Sequence, residues 1–299
     1  MSNYLSKLIM AVKMANYQRL RRRREPQRIA YRQWVKINDE VNADTLPALL
    51  QLYAQLPRKP LISVIMPVYN APLAWLDDAI ESVRQQIYQE WELCIADDCS
   101  PDPEVQSYLE KKAREDARIK VTFRAVNGHI SAASNSAIDL SHGEFLALMD
   151  QDDLIPKNAL LHVAESINQH PDAGLIYSDE DKVDSEGLRE APTRKPGWQR
   201  ATLTQYNSIS HLGVYRKDLV REIGGFQVGY EGSQDHDLAL RCVERLSDAQ
   251  IIHIPRVLYH WRIHENSTAH MQAAKPYALT ARNRAIRDHL ERTKGSRHP

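Results

Sequence analysis

Three carboxylates, Asp150, Asp152 and Asp153, follow directly on the apolar run Phe145-Leu-Ala-Leu-Met149. A short apolar run that stops in acids reads as a buried strand, with the acids at its carboxyl end, where open α/β sheets bind ligands. In an extended segment the i, i+2 spacing sends the Asp150 and Asp152 side chains the same way while Gln151 turns aside. Two such hard oxygen ligands suit Mg²⁺ or Mn²⁺, which keep positions open for phosphate oxygens. The same residues also suit an acidic strand-to-helix turn, with Asp152 or Asp153 capping a helix that Pro156 starts.

Other strand ends carry polar residues as well. Pro67-Val-Tyr69-Asn70 and Asp97-Asp98-Cys-Ser100 each follow an apolar run, and two neighbouring strands ending so would build a crevice for a base and a ribose. Turn and cap chemistry is the other use of Asp97 and Asp98, with Ser100 before Pro101. Asn127-Gly128 opens a helix whose free N–H groups could face phosphate, or Gly128 supplies a positive φ. The dinucleotide glycine fingerprint and the P-loop lysine are both missing there, which disfavours nicotinamide cofactors and P-loop hydrolysis. Asp235 stands at a helix start, as a proton acceptor would or as a plain N-cap. Arg262 and His264 flank Ile263 on a strand-like segment, so they share a face that could meet a pyrophosphate.

The elements that must position these residues alternate. Strands are expected at Leu61 to Pro67, Glu92 to Asp97, Ile119 to Ala125, Phe145 to Met149, Gly174 to Tyr177 and Ile251 to His260. Helices are expected at Leu73 to Gln86, Pro103 to Asp116, Ser131 to Leu140, Lys157 to Gln169, a stretch ending at Leu246, and Tyr277 to Leu290. This alternation predicts an α/β, Rossmann-like, mostly parallel sheet flanked by helices, with a long loop from Ser185 to Trp198. The organisation expected is a basic amphipathic helical extension and linker over 1–60, a main domain over 61–270 whose halves meet at 153/154, and a C-terminal helix over 271–299.

The 299 residues are 42% hydrophobic and 26% charged, as in a globular protein able to bury a full core. Cys94, Cys99 and Cys242 form no CxxC pair, so neither a disulfide framework nor a zinc knuckle is indicated. No apolar run is long enough to cross a bilayer, and Lys7 and Lys13 interrupt any signal-peptide core, so a cytoplasmic location is expected. Net charge is zero, yet residues 1–36 hold ten Lys/Arg against the single acid Glu25. Leu5, Leu8, Ile9 and Val12 recur at helical spacing ahead of the tract Arg21–Arg24. Such a head suits an anionic membrane surface or a membrane protein at the inner face of the plasma membrane, or else packs on the acidic body; nucleic acid is not expected.

Taken in order, Pro67-Val-Tyr-Asn70, Asp97-Asp-x-Ser100, Asn127-Gly with Ser131-Ala-Ala-Ser-Asn135, Asp150-Gln-Asp-Asp153 and Gln234-Asp-His-Asp-Leu238 resemble the family 2 glycosyltransferases with the glycosyltransferase-A fold, over roughly residues 60–265. The similarity is to enzymes of bacterial surface-polysaccharide assembly of the O-antigen and capsule type. The resemblance implies an inverting transferase moving a sugar from a nucleoside-diphosphate sugar, UDP-sugars first, to a glycan acceptor, and it allows the lipid-linked acceptor that a membrane-bound basic head would suit. It further implies that Asp97 and the Pro67–Asn70 loop hold the base, Asp150 the ribose and donor sugar, Asp152 the Mn²⁺ or Mg²⁺, and Asp235 the acceptor proton. His264 and Ser267 match a late segment that meets metal or diphosphate, and Gln234 stands where Glu is common. The rivals are a metal-dependent phosphotransferase and an inactive membrane-associated adaptor of the same fold.

Overall fold

The computed structural model describes residues 25–184, 186–263 and 276–294. Eight strands form one sheet in the order β3-β2-β1-β4-β7-β5-β6, with β8 paired to β5. The strands are β1 Ile62–Val68, β2 Trp91–Asp97, β3 Ile119–Phe123, β4 Phe145–Leu148, β5 Leu175–Val183, β6 Arg189–Thr193, β7 Gly213–Arg216 and β8 Ile251–Arg262. The first four pair in parallel, β2 and β4 flanking β1.

Continuous apolar sequence is what a strand covered on both faces requires. In β1, Ile62, Val64, Met66 and Val68 point into one buried cluster and Ile65 into another, so the sheet separates two cores. The helices Leu73–Arg84, Pro103–Glu115 and Ala159–Gln169 bury apolar residues such as Leu76, Leu109 and Leu160 in the first. His129–Leu140 and Gln234–Val243 bury Ala133, Ala137 and Leu238 in the second. β4 ends opposite Ile65, so Pro67, which has no N–H to give, lies beyond the last pairing on that side.

The second half departs from the expected pattern. β7 lies antiparallel between β4 and β5, and β6 is antiparallel to β5, so the mostly parallel sheet carries two reversed strands. The strand expected over Gly174 to Tyr177 runs on to Val183, placing Ser178-Asp-Glu-Asp181 inside it. Part of the expected loop from Ser185 to Trp198 is strand β6. These polar residues can stay in a sheet because each buried acid finds a cation. Asp181 Oδ2 accepts from Arg189 Nε at 2.6 Å, its Oδ1 lies 2.6 Å from His260 Nδ1, and Lys195 Nζ is 3.2 Å from Glu180.

The basic extension does not stay apart from the body. A helix Glu25–Asn38 crosses the expected end of the basic head and packs on the β5–β6 hairpin. Arg28, 8% exposed, ion-pairs with Asp184 at 3.0 Å and with Glu190, and Tyr31 Oη donates to Asp181 at 2.8 Å. The apolar positions Leu5 to Val12 and the tract Arg21–Arg24 lie outside the described residues. The C-terminal helix Pro276–Thr293 buries Ala285 and His289 and pairs His289 with Glu244 at 2.8 Å. Among the described residues no helix is long and apolar enough to cross a membrane.

Candidate active site

The carboxyl ends of the parallel neighbours β1, β2 and β4 lie along one edge of the sheet, where open α/β sheets form their ligand crevice. Beyond β1, Asn70 takes the left-handed conformation (φ 46°), which Asn tolerates, and its N–H donates to Ser100 Oγ at 2.8 Å. Gln151 closes the gap between β1 and β4: Tyr69 N–H donates to its Oε1 at 2.8 Å, and its Nε2 donates to Tyr69 O at 3.3 Å. Tyr69 itself is 48% exposed, its ring offered to solvent at the crevice mouth.

The acidic turn after β4 is held from below by β8. Leu154 bridges to His260, Tyr259 Oη donates to Asp153 Oδ2 at 2.6 Å, and Asp150 N–H donates to Tyr259 Oη at 3.1 Å. Arg262 N–H donates to Asp153 Oδ1 at 2.7 Å, and Arg262 Nε donates to Asp152 O at 2.7 Å. Tyr259 and Arg262 are both buried, so the turn rests on a fixed template. His211 stacks on Tyr259 with ring centroids 4.3 Å apart, reaching the turn from the segment before β7.

Electrostatics mark this turn. Burial pushes the Asp150 carboxyl up to about 6; His211 opposes the shift, and Asp152 and Asp235 add to it. Asp153 is held well above the usual carboxylate range by burial and then by Asp152 and Asp150, which Tyr259 and the Arg262 N–H only partly offset. Asp235 therefore lies within electrostatic reach of Asp150, although 85 positions separate them. It sits in the first turn of the helix Gln234–Val243, and its Oδ2 accepts from Asn207 Nδ2 at 2.7 Å.

A divalent cation fits this donor set. One ligand atom each from Asp150, Asp153 and His211 lies within 4.8 Å of the others, two carboxylate oxygens and an imidazole nitrogen, a set suited to Mn²⁺. The grouping differs from the expected pair of Asp152 and His264. Asp153, expected at most as a cap, joins the cluster, and so does His211, which no sequence motif marks; His264 and Ser267 lie outside the described residues. Asp152 contributes through its charge on both neighbours.

Some expected ligand contacts are committed elsewhere. Asp98, 2% exposed, pairs with Arg124 Nε at 2.8 Å and accepts from Gly128 N–H at 3.0 Å, so it braces the crevice wall and takes the N–H that was expected to face phosphate. Gly128 has φ −125°, not positive; it is glycine because a Cβ would come within 2.7 Å of Arg124 Nη2 and 2.9 Å of Ala132 Cβ. Asn127 Nδ2 donates to Asp98 O at 3.1 Å, which ties the same wall together. Asp97, 3% exposed, accepts from the N–H of Ser100 at 3.0 Å and from its hydroxyl, so it organises the turn that meets Asn70. Arg262 Nη2 pairs with Asp78 at 2.8 Å, so its guanidinium sits under the turn.

Two contributors, Asn207 and His211, come from the segment between the helix Arg200–Leu203 and β7, where the sequence shows no clear period. The available signal is polar residues set among Ile209 and Leu212, both buried, just before a short strand.

Known proteins place this architecture. The sequence model of the family described as Glycosyl transferase family 2 matches residues 63–224. The chain is 51% identical over 251 residues to the uncharacterized protein y4gI of Sinorhizobium fredii, covering 84% of this chain and 28% of that protein. It is 34% identical over 245 residues to the O-antigen biosynthesis protein RfbC of Myxococcus xanthus, covering 82% of this chain and 19% of that one. It thus spans less than a third of the length of either relative. Among solved structures, S. aureus TarS 1-349 in complex with UDP-GlcNAc superimposes with a TM-score of 0.59 at 21% identity, over 79% of this chain and 74% of that one. The likeness in fold agrees with the glycosyltransferase-A architecture expected from the motifs. The ordered strand-end motifs, the crevice they line and the match over more than half its length make this chain a member of glycosyl transferase family 2.

Proposed function

We propose that the chain transfers a sugar from a nucleoside-diphosphate sugar, UDP-sugars first among them, to a hydroxyl of a glycan acceptor, with inversion and with Mn²⁺ or Mg²⁺. The observation that carries this reading is the grouping of donor atoms of Asp150, Asp153 and His211 within 4.8 Å of one another, with the charge of Asp235 felt at Asp150. Support for a UDP-sugar comes from TarS, described in complex with UDP and with UDP-GlcNAc, and support for a polysaccharide product from RfbC, named for O-antigen biosynthesis.

The residues divide the chemistry among them. Tyr69, Asn70 and the turn ordered by Asp97 receive the base and ribose. Asp150, Asp153 and His211 would hold the divalent ion, with Asp152 beside them. The ion, when bound, supplies positive charge to the leaving diphosphate. Asp235 accepts the proton of the acceptor hydroxyl as its oxygen bonds to the anomeric carbon, and the bond to the diphosphate breaks with its electron pair on the diphosphate. Turnover of a panel of UDP-, dTDP- and GDP-sugars with and without Mn²⁺, read as released nucleoside diphosphate, tests the proposal. Metal-independent release, or no release with any donor and a glycan acceptor mixture, would overturn it.

A lipid-linked acceptor at the inner membrane surface belongs to the same proposal. Seven of the ten bases of the head precede Glu25, ahead of the docked helix. Co-sedimentation of the full chain with anionic vesicles, lost when Arg21–Arg24 are replaced by Gln and lost at 1 M salt, is the expected result.

A further inference from the structure

We infer that Asn207 is a positioning residue for Asp235, fixing which oxygen of that carboxylate receives the acceptor proton; the inference rests on the reading of Asp235 as the base. Asn207 is half-buried, and among the described residues the polar contacts of its amide lie within its own segment or on Asp235. Its Oδ1 accepts from the N–H groups of Ile209 at 3.3 Å and Ser210 at 3.1 Å, and its Nδ2 donates to Asp235 Oδ2 at 2.7 Å. A flipped amide would set its NH₂ against two N–H donors and its oxygen against a carboxylate, so the network leaves one orientation.

The segment carrying Asn207 is itself anchored. Lys195, buried and ion-paired with Glu180, donates from Nζ to the carbonyls of Ile209, at 2.6 Å, and His211. Ile209 and Leu212 bury their side chains completely or nearly so. The donor aimed at Asp235 thus has little freedom, and proton transfer is assigned to Oδ1. A free carboxylate turns easily about its terminal torsion, so an unheld base spends part of its time with neither oxygen in line. An amide suits this role because it is neutral, so it orients the carboxylate without adding a full positive charge that would oppose its protonation.

Two jobs of Asn207, turning its own segment and holding Asp235, can be separated by substitution. Asn207→Asp keeps an oxygen for the Ile209 and Ser210 N–H groups, so the turn survives, but it sets a carboxylate against Asp235. Asn207→Ala removes both. The readouts are kcat and donor KM with the nucleotide sugar that the panel above turns over, calorimetric affinity for UDP with Mn²⁺, and melting temperature. Holding Asp235 predicts a kcat roughly 10- to 100-fold lower for both variants, N207D falling at least as far as N207A, with UDP affinity and donor KM unchanged. It also predicts that N207A adds little further loss to D235N, since the two act as one unit. N207D near the wild-type rate, with or without loss in N207A, would overturn the inference by showing that the residue serves only the turn. D235N at the wild-type rate would instead overturn the reading of Asp235 as base, a failure visible independently of either Asn207 variant.

Discussion

Two buried groups of acids lie on neighbouring parts of the same sheet and behave in opposite ways. In the β5–β6 hairpin, burial would raise Asp181, but His260 and Arg189 outweigh it and hold the carboxyl below its usual range; Asp179 is lowered likewise, chiefly by His253 and the Lys195 N–H. In the turn after β4, burial wins: Asp150 rises to about 6 and Asp153 is held well above its usual range. Burial is common to both groups, so the difference lies in the partners. The hairpin brings in Arg28, Arg189, Lys195, His253 and His260, whereas the carboxylates of the turn accept from the Tyr259 hydroxyl and the Arg262 N–H, with His211 opposing the shift at Asp150, further acids adding to it, and the Arg262 guanidinium paired with Asp78. This contrast agrees with the proposal that the turn after β4 takes a cation from solution.

The largest expected effect tests that contrast on stability. Asp181→Asn leaves Arg189 and His260 without their buried acid and should cost about 3–5 kcal/mol, read as a lower urea midpoint. Asp150→Asn should leave the metal-free protein as stable as wild type or more so, because it removes a charge that burial penalises. Equal destabilisation by the two substitutions would erase the distinction between the clusters. Next in size, Asp235→Asn should lower kcat roughly 10²-fold or more while keeping donor affinity, since the amide matches the shape but cannot take the proton. Smaller again, His211→Ala should weaken UDP–Mn²⁺ binding about 10-fold, or about 1.4 kcal/mol. Arg28→Ala, which strips a cation from the compensated cluster, should lower stability and leave that affinity alone. Calorimetry on both variants distinguishes a cation site from acids that merely lie close together.

The sequence made the parallel strands and the acids at their ends readable for one reason. β1, β2 and β4 are buried on both faces, so each is a largely apolar run, interrupted by Ser63 in β1 and Glu92 in β2, and a cluster of polar residues that ends such a run stands out. The polar half of β5 carries no such pattern, because Ser178–Asp181 are kept in the sheet by partners remote in sequence: Tyr31 lies 150 positions from Asp181, and His260 lies 79. β7 has four residues, too few to show a period. Within the site, Asp150, Asp152 and Asp235 could be picked out, while His211 and Asn207 arrive from an aperiodic segment that only tertiary contact gives meaning. Asp98 and Gly128 show the reverse case: residues of the right type at a strand end and a helix start, whose carboxylate and N–H are engaged by Arg124 and by each other, which the sequence does not reveal.

The smallest effect, and the one that separates the clusters within a single protein, is the pH dependence of stability. For the compensated acids the folded-state pKa lies below the unfolded value: Glu92, where burial is outweighed by the His142 N–H, Lys120 and Ser63, falls to about 2, and Asp179 and Asp181 shift the same way. Their contribution is fully present above the unfolded value near pH 4 and is lost as pH falls toward 2, because the unfolded chain then binds more protons. Asp150 has the opposite sign. Its folded value of about 6 exceeds the unfolded value of about 4, so between those limits the folded chain binds more protons and stability rises as pH falls. Urea midpoints of the metal-free protein, corrected for the opposite slope of His162 and His236, whose imidazoles burial lowers, should therefore climb gently from pH 7 to about 4.5 and then drop. In Mn²⁺ the ion takes the place of the proton, and the climb should vanish while the acid-side drop remains. In metal-free Asp150→Asn the climb should shrink. A climb that persists unchanged in Mn²⁺ would mean that the raised carboxyls of the turn and the cation site are different places.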